Sequence, residues 1–203
     1  ATPVAYVFLV IFLFFSGYLT FKDGFFEVGQ AELRIFFNWL PRLFAVLVPA
    51  VAMRLWAEER RTGSIELLFT LPITVTQAVL GKFFAAWAFM GVALALTFPL
   101  PVMVVRLGNP DVGLLVTGYL GSFLLAGAFL SVGSFFSVVS KNQVISLILS
   151  VVACAVLVVA GWPTTLNYLS GILPAGLVGV VETLSMQDHF DSLVKGVIEF
   201  QDL

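Results

Sequence analysis

The sequence predicts an all-α, polytopic helical bundle that spans a membrane, and three observations carry the prediction. Hydrophobic residues fill 60% of the 203 positions and charged residues only 11%, whereas about a quarter of a soluble domain is charged. Mean hydropathy is +1.06. The apolar residues also gather into runs of roughly 20, the length a helix needs to cross a bilayer. A soluble chain of this size would have too little charge to cover its surface. The formal net charge of −2 and the lack of a basic run to neutralise phosphates exclude a nucleic-acid role.

The elements follow in order. Pro3–Phe21 is charge-free and closed by Lys22-Asp23-Gly24. It is long and has no cleavage-site pattern, so it is a retained anchor rather than a signal peptide. Residues 34–56 form a second run that contains Arg42 and has kinks expected at Pro41 and Pro49. Residues 76–105, 112–139 and 143–162 are the third, fourth and fifth runs, and the short connectors 106–111 and 140–142 make neighbouring spans antiparallel. Beyond Pro163 the stretch 164–185 is apolar but broken by Gly171, Pro174, Gly176 and Gly179, and Asp188, His189 and Asp191 follow. Short helices lying in or dipping into the interface fit residues 163–200 better than a sixth full span. The whole chain, 1–203, is one transmembrane domain. Orientation follows from the basic residues of the short loops. Arg54, Arg60, Arg61, Lys82 and Lys141 lie on one side, against Lys22, Arg34, Arg106 and Lys195 on the other. This bias puts the loop 53–74 and the N-terminus in the cytoplasm and residues 163–200 outside.

That loop combines charge, turn chemistry and an apolar helix. Glu58-Glu59-Arg60-Arg61 cannot sit in hydrocarbon, so the second span ends near Trp56, an interfacial residue type. Thr62-Gly63-Ser64 supplies a turn and a capping oxygen for a new helix, and Glu66 falls in its first turn, where the dipole favours a carboxylate. Pro72 stops that helix. Thr74 and Gln77 match a capping box that starts the third span. Within the short helix, Ile65, Leu68 and Phe69 share one face by the i, i+3, i+4 rule, and Leu67 and Leu71 occupy another. Two helical turns are not stable alone in water. One face can pack under its own bundle while the other is offered to a second protein or rests on lipid headgroups.

The runs Met53-Arg54, Glu58 to Leu68, Thr70-Leu71-Pro72 and Gly81-Lys82-Phe83 resemble the hallmark of type-2 ABC transporter permeases. The opening Thr2-Pro3-Val4-Ala5-Tyr6-Val7-Phe8, and the stretch from His189-Phe190 to Gly196-Val197-Ile198, resemble the gliding-motility-associated branch of that family. The resemblance covers nearly the whole chain. It implies a bundle of the type-2 ABC exporter kind in a bacterial inner (cytoplasmic) membrane, with five spans visible here and short external helices. The family's amphipathic N-terminal segment and sixth span are expected to lie outside residues 1–203. It also implies dimerisation and a separate cytoplasmic ABC ATPase subunit, which holds the ATP and Mg while this chain binds no cofactor. The ATPase would grip a coupling helix over Gly63–Pro72, comprising Gly63, Ser64, Ile65, Glu66, Leu67, Leu68, Phe69, Leu71 and Pro72. Glu58, Glu59, Arg60 and Arg61 would form a polar collar beside it.

Other chemistry is sparse. No phosphate-binding Gly-rich loop exists, so the chain is not expected to be an enzyme. No Asp or Glu lies in the middle of a span, which disfavours an ion-coupled carrier. Cys154 sits in an apolar run and reads as a packing residue. His189, Asp188 and Asp191 are too few for a metal, and none is expected. Arg42 is a candidate intramembrane polar contact, to a headgroup or a neighbouring carboxylate, or a side chain that snorkels to the outer interface. Gly118, Ser122 and Ala126, and likewise Gly127 and Ser131, recur at intervals of four; Gly133 and Ser137 repeat the spacing. Such spacing lets helices approach closely in lipid. The expected function is the permease subunit of an ATP-driven exporter. The alternative is a non-transporting anchor that passes ATPase-driven force to an accessory subunit with a large external domain.

Overall fold

In hydrocarbon every backbone amide must find its partner within the chain, which leaves helices as the economical answer for each apolar run. A computed structural model describes residues 3–22, 33–64, 73–108 and 110–160, together with residues 66, 70, 162 and 165. These residues form α1 (Pro3–Lys22), α2 (Arg34–Ala52), α3 (Ala57–Thr62), α4 (Val75–Ala95), α5 (Pro99–Leu107), α6 (Val112–Val139) and α7 (Gln143–Ala160). Among the described residues five helical segments are long and apolar enough to cross a membrane, and there is no strand. The architecture is an all-α polytopic bundle. The external helices expected over 163–200, with His189, lie outside the described residues.

Helix α2 is the centre. It packs against α1, α6 and α7, while α6 in turn meets α4 and α7. Phe36, Phe37, Leu40, Phe44, Ala45, Val48 and Ala52 recur every three or four residues along α2 and are all buried, as one face of a 3.6-residue period requires. Phe12 of α1 stacks on Phe44 at 5.8 Å between centroids, and Phe8 meets Phe89 of α4 at 5.4 Å. Glycines on α6 set how closely it approaches α2. A Cβ on Gly118 would lie 2.5 Å from the Phe37 ring, and one on Gly133 would lie 2.5 Å from the Ala52 Cβ. The outer surfaces carry exposed Tyr6, Val10, Phe14, Val92, Val116 and Phe135, a face suited to lipid.

Two spans are interrupted where the sequence reads continuous runs. The second stops as α2 at Ala52, turns through 53–56 and restarts as α3. The third stops as α4 at Ala95 and restarts as α5 with Pro99 at its first position. Pro99 and Pro101 lack the N–H that would continue the ladder, and the hydroxyl of Thr97 bonds the Leu94 carbonyl at 2.6 Å. Pro41 and Pro49 both lie inside α2. At the start of α4, Thr74 and Gln77 form the capping box that the sequence predicts, with bonds of 3.0 and 3.2 Å.

Candidate functional site

The charged end of the bundle is built around the gap between α2 and α3. In an unbroken helix the amides of Trp56 and Ala57 would bond the carbonyls of Ala52 and Met53. Both amides instead donate to the hydroxyl oxygen of Ser137, at 3.0 and 3.1 Å, and that hydroxyl donates to the Met53 carbonyl at 3.1 Å. One side chain from the last turn of α6 thus stands in for a missing rung. Its donor and both acceptor sites are used, and it is fully buried. This is helix breaking by an inserted side chain.

Further ties hold α3 and the turn that precedes it. The Arg60 guanidinium donates to the Val138 carbonyl, again at the end of α6. Glu59 pairs with Lys82 of α4, and the Lys82 ammonium donates to the Leu55 carbonyl at 2.9 Å. The same ammonium lies 4.1 Å from the centroid of the Trp56 ring, a cation–π contact. Gly63 closes α3 in the left-handed region at φ 73°, a conformation glycine adopts without steric cost. Thr62 bonds back to the Glu58 carbonyl at 3.0 Å and to the Ser64 hydroxyl at 2.9 Å.

The sequence-predicted residues therefore divide. Glu58, Glu59, Arg60 and Arg61 form a helix of their own with Ala57 and Thr62, and Arg61 alone of the four is exposed. Ser64, Glu66 and Thr70 are helical, and Glu66 and Thr70 are exposed. Ile65, Leu67, Leu68, Phe69, Leu71 and Pro72 lie outside the described residues. Gly118, Ser122, Ala126 and Gly127 are buried. Gly127 makes room for Trp87, whose ring nitrogen donates to the Phe123 carbonyl at 2.8 Å while its ring stacks on Phe123. Ser131, predicted with them, is exposed and its hydroxyl turns back to the Ala128 carbonyl. At that level the buried stripe of α6 has moved to the neighbouring Leu130 and Gly133, so among the described residues Ser131 lies off the packed face.

Arg42 forms no ion pair among the described residues. Its guanidinium lies 4.8 Å from the Trp39 ring centroid and 5.6 Å from that of Trp162. It fastens the middle of α2 to the residues just after α7 by cation–π contact. No group of three or more metal-ligating side chains occurs among the described residues.

Ser137 and Lys82 are the residues whose roles sequence reading missed. Ser137 was visible only as a small residue four after Gly133. Its partners lie about 80 positions away, and nothing local announces that its hydroxyl is spoken for. Lys82 follows the capping box by two turns of helix, and a lysine inside an apolar run is the signal that it needs an anion.

Residues 4–202 match the family model described as ABC-2 family transporter protein. Neither the curated proteins nor the solved structures yield a match to the chain.

Proposed function

Because the chain belongs to the ABC-2 family of transporter proteins, we propose that it is the permease subunit of an ATP-driven exporter powered by a separate cytoplasmic ATPase. The charged end faces the cytoplasm of a bacterial cell, with the chain in the inner membrane. Residues Gly63–Pro72 are the contact for the ATPase, which holds ATP and Mg. A second permease copy completes the pathway. The branch is the gliding-motility-associated one, and an accessory subunit with a large external domain is a further partner.

What supports this reading is the set of ties on α3, the helix that leads directly into 63–72. A push delivered there meets α2 through a four-residue turn, α6 through Ser137 and Arg60, and α4 through the Glu59–Lys82 pair. Displacement at one loop is therefore shared by three spans. Apolar packing alone would let α3 slide; directional hydrogen bonds do not.

The test is co-purification with the ATPase. Leu68→Asp places a charge on the apolar contact face. Gly63→Pro forces φ to about −65° where the chain has 73°. Each change is expected to abolish recovery of the ATPase, and a complex that survives both with full ATPase activity refutes the assignment. Reconstituted vesicles without an accessory subunit test the transport half. ATP-dependent movement of cargo is expected, and intact turnover without movement would favour force transmission instead.

A further inference from the structure

A lateral cleft of about 500 Å³ opens between α1, α2 and α4 at the charged end. Its walls are Phe8 and Ile11 of α1, Leu47 and Val51 of α2, and Phe89 of α4, and its mouth carries Arg54, Glu59 and Lys82. Leu47 lies seven residues before Arg54 and Phe89 seven after Lys82. At 1.5 Å per helical residue, the apolar walls therefore run about 10 Å into the membrane from the charged rim. Among the described residues Lys82 is paired with Glu59, whereas Arg54 is exposed and joins no ion pair. The rim thus keeps one uncompensated positive charge over an apolar slot.

We propose that this cleft holds one anionic phospholipid from the leaflet on the ATPase side, its phosphate against Arg54 and one acyl chain between α1, α2 and α4. The depth and the sign of charge match an amphiphile of that leaflet, and basic pockets between spans on the cytoplasmic side bind anionic headgroups.

The test uses the full chain reconstituted in vesicles of equal phosphatidylglycerol and phosphatidylcholine. The protein is then extracted in mild detergent, and the phospholipid that stays bound is counted by native mass spectrometry. Phosphatidylglycerol is expected to be retained over phosphatidylcholine by about fivefold, the weight of one basic residue near an anionic surface. Arg54→Gln should bring the ratio near one. Ala85→Trp, at an exposed position lining the cleft, should remove retention of both lipids. Parity in the unaltered protein, or a preference that persists in Arg54→Gln, overturns the proposal. So does retention unchanged in Ala85→Trp, which would place the lipid elsewhere on the surface. A disulfide between two chains carrying Val7→Cys would assign the cleft to a second copy and overturn it equally.

Discussion

The two interrupted spans differ in where the instruction to break resides. In the third span it is local: Pro99 and Pro101 cannot continue the ladder of α4, and the break forms wherever that stretch is helical. In the second it is remote. Residues 53–56 contain no proline, and the gap is held open by the Ser137 hydroxyl some 80 positions along the chain. Both breaks nevertheless receive a hydroxyl from α6, Ser137 at its end and Tyr119 near its start, the latter 2.8 Å from the Thr97 hydroxyl. The third-span hydroxyl decorates a break already made. The second-span hydroxyl makes one.

If that distinction holds, Ser137→Ala has the largest effect. It strips a partner from two amides and a carbonyl, and a buried unpaired polar group costs about 1–3 kcal/mol. Unfolding titrations in mixed micelles should show a loss near the top of that range, and amide exchange at Trp56 and Ala57 should speed up markedly. Ser137→Thr, which keeps a hydroxyl, should recover most of it. Exchange at both amides that stays slow in the alanine variant would mean the ladder has closed without help, and the comparison fails.

Lys82→Met comes next. The two side chains of the Glu59–Lys82 pair are 29% and 22% exposed, so the pair lies between surface and buried cases and should contribute about 1–2 kcal/mol. Adding Glu59→Gln to that variant is expected to return part of the loss, because it removes the abandoned carboxylate. A double variant weaker than the single one would show that Glu59 has another partner at this end.

Tyr119→Phe should do least, about 0.5–1.5 kcal/mol, since Thr97 keeps its bond to Leu94 and the prolines still dictate the break. Cysteine accessibility at positions 96–98 should not change. A cost equal to that of Ser137→Ala would erase the difference between the two spans.

How much of this is legible in the sequence follows the same division. The apolar runs, the Thr74–Gln77 box and the turn at Gly63 are local patterns, and each can be read from a few neighbouring residues. Pro99 was readable too, but it stands among so many apolar residues that the run passes as continuous. The contact of Arg42 with Trp39 is three residues long and lies within a helical turn, whereas its contact with Trp162 joins residues 120 apart. Ser137 is the extreme case, because its type and spacing fit close packing equally well. Sequence shows which residues are polar in an apolar setting; it does not show which distant backbone atom they complete.

The broken second span also sets a length. Helix α2 has 19 residues and α4 has 21, or about 28 and 32 Å at 1.5 Å each, close to the roughly 30 Å of a bilayer's hydrocarbon. Without the gaps the two helices would run 29 and 33 residues, about 44 and 50 Å, and would project beyond the hydrocarbon by several turns. Ser137 and Pro99 thus work as rulers. Each marks the depth at which a helix stops being measured against lipid and begins a new direction, and a change at either would alter the thickness of membrane in which this protein sits without strain.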